Sequence, residues 1–432
     1  MTMITATVDK VASFGGVRHS DALNVECANR FARAQAQRSL QPSPPAGAPF
    51  GSVGTLGQMP GLPRRRAALA AVLTSLVLLA GCLTAAGAGA ASPAASTSAS
   101  SVIKNGVLVP KGKQIYFGIS DTGNPASFGE FSEAVSKHPS VIESFRAWGT
   151  DLAPSIQRWE IARARPMIHI TTADPQTGGE MLTLAQIAAG GGDGYLIRLN
   201  HLFAEKHMAA YVRPLGEPNR CLNVYAAYEC AGKPRNVEDS ARNYRRAFRR
   251  IYVIVHGGGK AKVINKRLAE AGLPPLHATV GGLPKAPVAI VWSPLPSGSP
   301  TTKKNLPRNF FPGEKWVDWT GTDFYASYPE WGALTRLYER YPDKPFALTE
   351  WGVENGDDPA FVSKLFSWVE KHPRTKMMVY YQDFGSTSPY RLQNYPESLS
   401  ILNDRLHSGL FPAYAPGAPH LPPPPPGGVE AG

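Results

Sequence analysis

Between residues 107 and 412 of this 432-residue chain, short apolar runs alternate with stretches in which apolar residues recur every three or four positions. The short runs predict strands, and the longer periodic stretches predict helices. Strands that alternate with helices are typical of parallel sheets, and eight such units favour a closed (β/α)8 TIM barrel, an α/β fold, over an open sheet. We predict the strands at residues 114–119, 155–159, 166–170, 209–214, 288–292, 319–324, 346–349 and 377–381.

The chain on either side of this single barrel domain lacks the pattern. Residues 82–106 consist mostly of Ala, Ser, Gly and Thr, which predicts a flexible linker. The tail, residues 413–432, contains five consecutive prolines, which favour an extended conformation rather than a packed core. Residues 1–58 have an excess of basic residues and no sustained apolar period. We expect them to be disordered or to precede the true start of the protein.

Residues 59–81 have the composition of a secretory signal. Arg64, Arg65 and Arg66 precede an apolar run at residues 67–80, which is followed by Gly81 and Cys82. The run is shorter than the roughly 20 apolar residues that span a bilayer, so we do not predict a transmembrane helix. Met59 would give the signal an ordinary length, which makes it a candidate start.

The sequence Leu-Ala-Gly-Cys at residues 79–82 resembles the bacterial lipobox. The resemblance implies that Cys82 is the lipidated first residue of the mature protein, which is then anchored to the outside of the cell membrane. The alternative is an ordinary signal that is cleaved in the following Ala-rich stretch.

Both alternatives predict export, and export permits Cys221 and Cys230 to form a disulfide across a short loop. The alternative for this pair is two free thiols.

The net charge of +12 does not indicate a nucleic-acid-binding protein, because no recognised motif accompanies it. Arg245, Arg246, Arg249 and Arg250 lie on a predicted helix at residues 240–255, where we expect a solvated basic face. The chain contains no Gly-x-Gly-x-x-Gly or Gly-x4-Gly-Lys-Ser/Thr loop, so a nucleotide cofactor is not expected. Nor does any His, Cys and carboxylate set have zinc-like spacing. We expect a monomer without a metal or other cofactor.

Two glutamates follow predicted strands. Glu217 comes after the fourth apolar run and Glu350 after the seventh. Reacting groups of TIM barrels lie at the carboxyl ends of strands, so this pair is the candidate catalytic pair. Either residue alone would more simply be a partner in a structural ion pair.

The sequence around these glutamates resembles clan A of the glycoside hydrolases and, within it, family 26, which includes many β-mannanases. Residues 213–219, Arg-Pro-Leu-Gly-Glu-Pro-Asn, are similar to the family's acid/base stretch on strand four. Residues 349–352, Thr-Glu-Trp-Gly, are similar to its nucleophile stretch on strand seven, and residues 321–325, Gly-Thr-Asp-Phe-Tyr, to its strand six. Trp-Ser-Pro at residues 292–294 also fits the family. Together with the lipobox, the pattern resembles a divergent lipoprotein member of the actinobacterial type.

This resemblance implies a retaining endo-glycosidase that hydrolyses a β-linked polysaccharide such as a mannan. Glu350 would be the nucleophile and Glu217 the general acid/base, in a mechanism that places two carboxyl groups about 5–5.5 Å apart. Arg213 and Tyr325, both assigned to substrate binding, would also keep a carboxylate ionised, through charge and a hydrogen bond respectively. Asn219 matches the family stretch and is assigned to substrate binding.

Aromatic side chains commonly stack on the apolar faces of sugar rings. We assign Trp159, Trp292 and Trp351 to substrate binding, and Tyr328, Trp331 and Tyr381 also fall near predicted strand ends. His169 and Asp193 are expected near the same rim, in hydrogen-bonded structural roles.

Gly216 departs from the family, which usually has His before the acid/base, while the wider clan has Asn there to bind the sugar 2-hydroxyl. The alternative function is therefore a non-catalytic, glycan-binding surface lipoprotein on a glycosidase-like barrel. An α/β hydrolase is disfavoured because the chain lacks a Gly-x-Ser-x-Gly nucleophile elbow.

Overall fold

The computed structural model describes residues 108–383 and 385–419. All of them belong to one of the two units into which the chain divides, and the other unit, residues 41–96, lies outside the described residues. The predicted signal peptide, Cys82, the linker up to residue 107 and the end of the tail from residue 420 also lie outside them.

Eight parallel strands close into a barrel, which confirms the predicted (β/α)8 fold. Each strand is hydrogen-bonded to its neighbours in chain order, and the first pairs with the last to close the barrel. The strands are β1 Tyr116–Ser120, β2 Val141–Ala147, β3 Arg165–Thr171, β4 Ala210–Pro214, β5 Val288–Trp292, β6 Trp319–Tyr325, β7 Phe346–Gly352 and β8 Thr375–Tyr380.

Nine α-helices accompany these strands in the described residues. They are α1 Pro125–Ala134, α2 Ala153–Ala162, α3 Leu184–Ala189, α4 Asp193–Glu205, α5 Ala241–His256, α6 Ala261–Glu270, α7 Trp331–Arg340, α8 Pro359–Lys371 and α9 Pro396–Leu406. A short antiparallel pair, Gly259–Lys260 with Gly282–Leu283, lies outside the barrel. Among the described helices, none has both the length and the apolar character needed to cross a membrane.

The predicted strand at residues 155–159 is wrong, because these residues form part of helix α2. Pro154 lies in the first turn of the helix, and Ile156, Trp159 and Ala162 recur three residues apart on its buried face. The second strand is instead β2, whose polar residues hide its strand character from a search for apolar runs. Those polar residues belong to the site described below.

Helix α5 has the expected boundaries, but one of the four arginines expected on its solvated face is buried instead. Ser240 caps it by accepting a hydrogen bond from the Asn243 N–H, and Gly257 follows its last turn with a φ of 59°. Arg250, predicted to be solvated, is fully buried and makes a two-point ion pair with Asp193 at 2.6 Å. Burying a charge requires such a partner, so this pair joins α5 to the start of α4.

The amino-terminal end of the barrel is closed by apolar and aromatic side chains around a buried arginine. The guanidinium of Arg165 lies against the rings of Tyr116 and Tyr211 and donates to the carbonyls of Leu108 and Pro416. The folded body therefore continues past the predicted boundary at residue 412. The N–H of Ala209 also donates to the carbonyl of Gly417, and Ala415 packs into the inner-barrel core, so residues 413–417 are not part of a free tail.

Candidate active site

Polar side chains from five strands meet inside the barrel near the carboxyl ends of the strands. Each is buried, with at most 8% of its surface exposed. Buried ionisable groups cost free energy unless they are paired, so a cluster of them at this end of a TIM barrel marks a candidate active site. The residues are Glu143 on β2, His169 on β3, Arg213 on β4, Asp323 on β6 and Glu350 on β7.

Glu350 reaches this cluster because β7 contains a bulge. Leu348 packs in the outer core, and the Thr349 hydroxyl donates to Asp323 inside the barrel at 2.7 Å, so strict alternation would direct Glu350 outwards. The pairing between β6 and β7 skips Thr349, and the pairing between β7 and β8 shifts at the same place. The extra residue turns Glu350 inwards and Trp351 outwards.

Arg213 joins the carboxyl groups of three strands. Its Nη1 donates to Oε1 of Glu143 at 2.9 Å and to Oε1 of Glu350. Its Nη2 donates to Oδ2 of Asp323, and its Nε donates to the Ser293 hydroxyl at 2.6 Å. The guanidinium is fully buried and every nitrogen has a partner, so Arg213 positions the carboxyl groups from beneath the cleft rather than binding substrate.

One positive charge cannot balance three carboxylates, and burial shifts the ionisation of two of them. Burial raises the pKa of Glu143 to about 8, with a further contribution from Glu350 and an opposing one from Arg213. Burial likewise raises the pKa of Asp323 well above its ordinary value. The pKa of Arg213 is raised, because Asp323 and Glu350 outweigh the burial that would lower it. With a pKa of about 8, Glu143 is mostly protonated at neutral pH, which leaves more of the charge of Arg213 for its other two carboxyl partners, Asp323 and Glu350.

Tyr325 holds the other oxygen of Glu350. Its hydroxyl donates to Oε2 at 2.8 Å. Burial, followed by the nearby charge of Glu350, raises the pKa of Tyr325 well above its usual range, so the hydroxyl keeps its proton and remains a donor. The two oxygens of Glu350 therefore have different donors, which fixes the plane of the carboxylate.

Glu217 lies on the tight turn that follows β4. Leu215 and Glu217 have φ values of 53° and 50°, a left-handed conformation that costs a non-glycine residue about 1–2 kcal/mol. The Glu217 N–H donates to the carbonyl of Ser293 at 2.7 Å, which ties the turn to the end of β5. Arg220 donates to Oε2 of Glu217 at 2.9 Å. Strain held in place by such contacts is common at functional sites.

The two glutamate side chains retain some exposure, while the arginine between them has none. The exposed fraction is 12% for Glu217 and 5% for Glu350, against 0% for Arg213. Both carboxylates therefore face the cleft. Arg213 also connects the two glutamates in space. A Cβ placed on Gly216, the residue before Glu217, would lie 2.9 Å from Nη2 of Arg213, and Nη1 of the same arginine donates to Glu350. The structure thus brings the two predicted catalytic residues to the same end of the barrel.

Asn219 differs from its assignment to substrate binding. Its Oδ1 accepts from the Leu295 N–H at 2.8 Å, and its Nδ2 donates to the Leu295 carbonyl at 3.0 Å. Both side-chain atoms are occupied, so Asn219 fastens the loop after β4 to the loop after β5. A disulfide joins Cys221 to Cys230 within the same loop, with an S–S distance of 2.02 Å.

The three tryptophans assigned to sugar stacking do not reach the cleft. Trp159 lies on α2, fully buried, and donates to the Ser144 hydroxyl on the outer side of β2 at 2.9 Å. Trp292 and Trp351 are also fully buried and lie between the barrel and its helices. Both point outwards because they alternate with inward-facing neighbours. Trp331 packs on Phe324 at the start of α7.

Other aromatic side chains lie near Tyr325, whose hydroxyl contacts Glu350. The rings of Tyr381 and Tyr390 lie 6.1 Å from the ring of Tyr325, and Phe145 contacts both Tyr381 and His169. The sequence indicated Tyr381 but missed Phe145 and Tyr390. Phe145 was missed together with Glu143, because β2 was placed in the wrong segment. Tyr390 lies in a loop that carries no strand signal.

His169 and Asp193 have different environments. Asp193 has the structural role expected of it, an ion pair with Arg250, but it does not join the buried cluster. His169 lies inside the site, and neither ring nitrogen has a hydrogen-bond partner among the described residues. Burial, followed by the charges of Arg213 and Arg220, lowers its pKa well below the ordinary value, so the ring is neutral.

Glu143, His169 and Glu350 offer ligand atoms within 4.8 Å of one another, which is a possible geometry for a metal ion. The guanidinium of Arg213 already bonds both carboxyl groups. Its positive charge would repel a cation at this point, so the residues do not fit a metal centre.

The barrel is similar to solved structures of mannan-degrading enzymes. A GH26 β-mannanase from Bacteroides ovatus matches with a TM-score of 0.50 and 17% identity, over 73% of this chain and 95% of that chain. An endo-β-1,4-mannanase double mutant from Cellulomonas fimi matches with a TM-score of 0.51 and 15% identity, over 75% and 78%. At these levels of identity the likeness shows that the chain shares the barrel fold of these enzymes. No family model matches the sequence, and no curated protein matches it significantly.

Proposed function

We propose that the protein is a retaining endo-glycosidase that hydrolyses a β-linked polysaccharide by double displacement. The observation that carries this proposal is the environment of Glu350. A bulge turns it into the cleft, Arg213 bonds one oxygen, and Tyr325 donates to the other. A carboxylate that is fixed and charge-compensated in this way suits a nucleophile, because it is pre-organised for attack on one carbon.

In the first step, Glu350 attacks the anomeric carbon and the bond to the leaving oxygen breaks. Glu217 gives its proton to that oxygen, so the departing sugar leaves as an alcohol. In the second step, the ionised Glu217 takes a proton from water, whose oxygen attacks the anomeric carbon. The ester bond to Glu350 breaks, and Glu217 is protonated again. Two inversions give net retention of configuration.

The tyrosines at the opening support a sugar substrate. Tyr325, Tyr381 and Tyr390 form a contiguous group beside Glu350, and Phe145 extends it towards β2. Rings of this kind can stack on sugar faces while tyrosine hydroxyls bind sugar hydroxyls. Mannan is the first substrate to test, because the structurally similar enzymes are described as β-mannanases.

The deciding experiment is release of reducing ends from mannans, xylans, β-glucans and bacterial envelope glycans by the wild type and by Glu350→Ala. We expect the wild type to shorten one of these polymers with retained configuration, and the variant to be inactive. A polymer that binds the wild type with measurable affinity but is never cleaved would instead support the alternative, a glycan-binding barrel. Absence of Asn or His at position 216 is the observation that keeps this alternative open.

We further propose that the protein is exported as a monomer and held on the membrane by lipid on Cys82. Support comes from the lipobox-like sequence and from the Cys221–Cys230 disulfide, which fits an oxidising compartment. Mass spectrometry of the amino-terminal peptide from native membranes tests the anchor. A mature chain that retains residues before Ala67 would contradict it.

A further inference from the structure

Position 216 excludes a side chain because the space is already occupied. A Cβ there would lie 2.9 Å from Nη2 of Arg213 and 3.0 Å from Nε2 of His169, which is closer than side chains normally pack. Gly216 does not have a positive φ, so its backbone conformation does not require glycine. The glycine is needed for space, and part of that space is used by the imidazole of His169.

His169 has an unused capacity for hydrogen bonding. It is 8% exposed, and neither Nδ1 nor Nε2 has a hydrogen-bond partner among the described residues. Buried polar atoms are nearly always paired, and an unpaired one costs about 1–3 kcal/mol. Phe145 packs on one side of the ring, so the ring has an apolar neighbour there. The nitrogens are therefore left for a group that enters the cleft.

The position of the ring limits what that group can be. Nδ1 lies 3.9 Å from Oε1 of Glu350, and Nε2 lies beside the backbone that leads into Glu217. A sugar ring whose anomeric carbon is next to Glu350 has its 2-hydroxyl on the adjacent carbon. That hydroxyl is the substituent nearest both glutamates after the leaving oxygen.

The chemistry of the ring also fits a hydroxyl. Burial and the charges of Arg213 and Arg220 keep His169 neutral, so one nitrogen donates and the other accepts. A hydroxyl can meet either nitrogen. A cation is disfavoured because Arg213 is bonded to both neighbouring carboxyl groups.

We propose that His169 binds the sugar hydroxyl adjacent to the anomeric carbon, from β3, in the space that Gly216 leaves open. This inference rests on the proposed glycosidase function. It makes His169 a substrate-binding residue of the reacting sugar rather than a structural histidine. Because the hydrogen bond to the 2-hydroxyl strengthens in the transition state, His169 should affect kcat more than KM.

The test compares a β-linked aryl glycoside of the sugar found in the polysaccharide screen with its 2-deoxy analogue. Removing the hydroxyl changes the intrinsic reactivity of the substrate, but this change cancels when wild type and variant are compared. We expect the penalty in kcat/KM for losing the hydroxyl to be about 100-fold larger in the wild type than in His169→Ala. His169→Gln, which keeps a donor and an acceptor, should recover part of it.

Ile168→Val is the matched control, because Ile168 is on the same strand but faces the outer core. It should retain the full wild-type penalty. Binding of an imino sugar with and without the corresponding hydroxyl, measured by calorimetry, gives a second measure that does not require turnover. His169→Ala should weaken binding of the first compound at least tenfold and leave the second within about twofold.

Different results would overturn the proposed role of His169 and the proposed glycosidase function. If the wild type cleaves glycans but His169→Ala shows the same hydroxyl penalty as the wild type, the role of His169 is wrong and the glycosidase function stands. If the wild type neither cleaves any glycan nor binds either imino sugar, the proposed function is overturned and the inference about His169 falls with it.

Discussion

Tyr325 donates its hydroxyl hydrogen to Oε2 of Glu350 at 2.8 Å, while the opposite oxygen of Glu350 is bonded by Arg213. The two donors come from different strands, β6 and β4, and each approaches one oxygen. Glu350 therefore cannot rotate without losing a hydrogen bond. In the proposed mechanism, such restraint holds the attacking oxygen in one orientation before the substrate arrives.

Tyr325→Phe tests this restraint, because the variant keeps the ring and removes only the donor. We expect kcat to fall about 10- to 100-fold, since loss of one hydrogen bond to a charged group costs about 1.5–3 kcal/mol. KM should change little, and unfolding in urea should show a folded protein. Tyr414→Phe is a suitable control, because Tyr414 is 49% exposed and lies beside His138 and Arg163 rather than in the site. A Tyr325→Phe variant with full activity would show that the hydroxyl is not needed.

Glu143→Gln tests the ionisation of the buried cluster. Burial, with help from Glu350, raises the pKa of Glu143 from 4.5 to about 8. Between these values the folded protein holds a proton that the unfolded chain has released. The contribution of this bound proton to the free energy of unfolding is therefore complete below pH 4.5 and is lost as the pH rises towards about 8. Glutamine is neutral at every pH and escapes this loss.

We expect Glu143→Gln to match the wild type near pH 5 and to become more stable than it by pH 8. The gain should approach, at most, about 1.4 kcal/mol per pH unit across the window. Urea unfolding at several pH values measures it, with exposed Glu339→Gln as the control for loss of a carboxylate. A difference between variant and wild type that does not depend on pH would contradict the raised pKa.

Gly216→Ala tests the crowding between the turn that carries Glu217 and the buried cluster around Arg213. The new methyl group would press on Arg213 and His169, and Arg213 cannot yield without disturbing its contact with Glu350. We expect a loss of stability of about 1–3 kcal/mol, as for other overpacked cores, together with a drop in kcat. Gly129→Ala is the control, since a methyl group in that helix would meet nothing within 4 Å. Equal behaviour of the two variants would show that position 216 is not crowded.

The sequence predicted the fold class and seven of the eight strands because those strands carry apolar runs. It failed at β2, where the inward-facing residues include Glu143 and where Ser144 faces the helices. A strand that contributes ionisable groups to a site loses the alternation by which strands are recognised. The helix at residues 153–162 then supplied an apolar run that resembled the missing strand.

The candidate site was predicted in part. Glu217, Glu350, Arg213 and Tyr325 follow or end strands, and their motifs place them at one end of the barrel. The assignment of Trp292 and Trp351 failed because the direction of a side chain depends on strand phase. On β7 that phase is changed by a bulge, which no motif reveals.

Replacing Cys221 and Cys230 with serine tests how much the disulfide stabilises the loop that follows Glu217. The disulfide closes a short loop shortly after Glu217, and Arg235, which follows this loop in the chain, donates to the carbonyl of Cys221. We expect a loss of about 2–3 kcal/mol in stability, from the entropy of closing such a loop. Reductant should destabilise the wild type by a similar amount and leave the double variant unchanged. Immediate alkylation of both thiols in unreduced wild type would contradict the bridge.

Glu217 and Glu350 should differ in how substrates rescue their variants, because the proposed mechanism gives them different roles. Glu350→Ala removes the nucleophile, so turnover of every glycoside should fall by about 10³-fold or more. Glu217→Ala removes only proton transfer. It should keep the glycosylation step for aryl glycosides whose leaving group departs without a proton, while natural polysaccharide is cleaved at least about 100-fold more slowly.

Azide separates the two variants further. In Glu217→Ala a small anion can attack the glycosyl ester on Glu350 without base assistance, so azide should accelerate turnover and give a β-glycosyl azide. In Glu350→Ala no ester forms, and attack by azide on the β-glycoside itself would give the α-product. Nuclear magnetic resonance of the products distinguishes these outcomes. Wild-type hydrolysis with inverted configuration would reject the covalent intermediate, because a single displacement leaves no ester for azide to intercept.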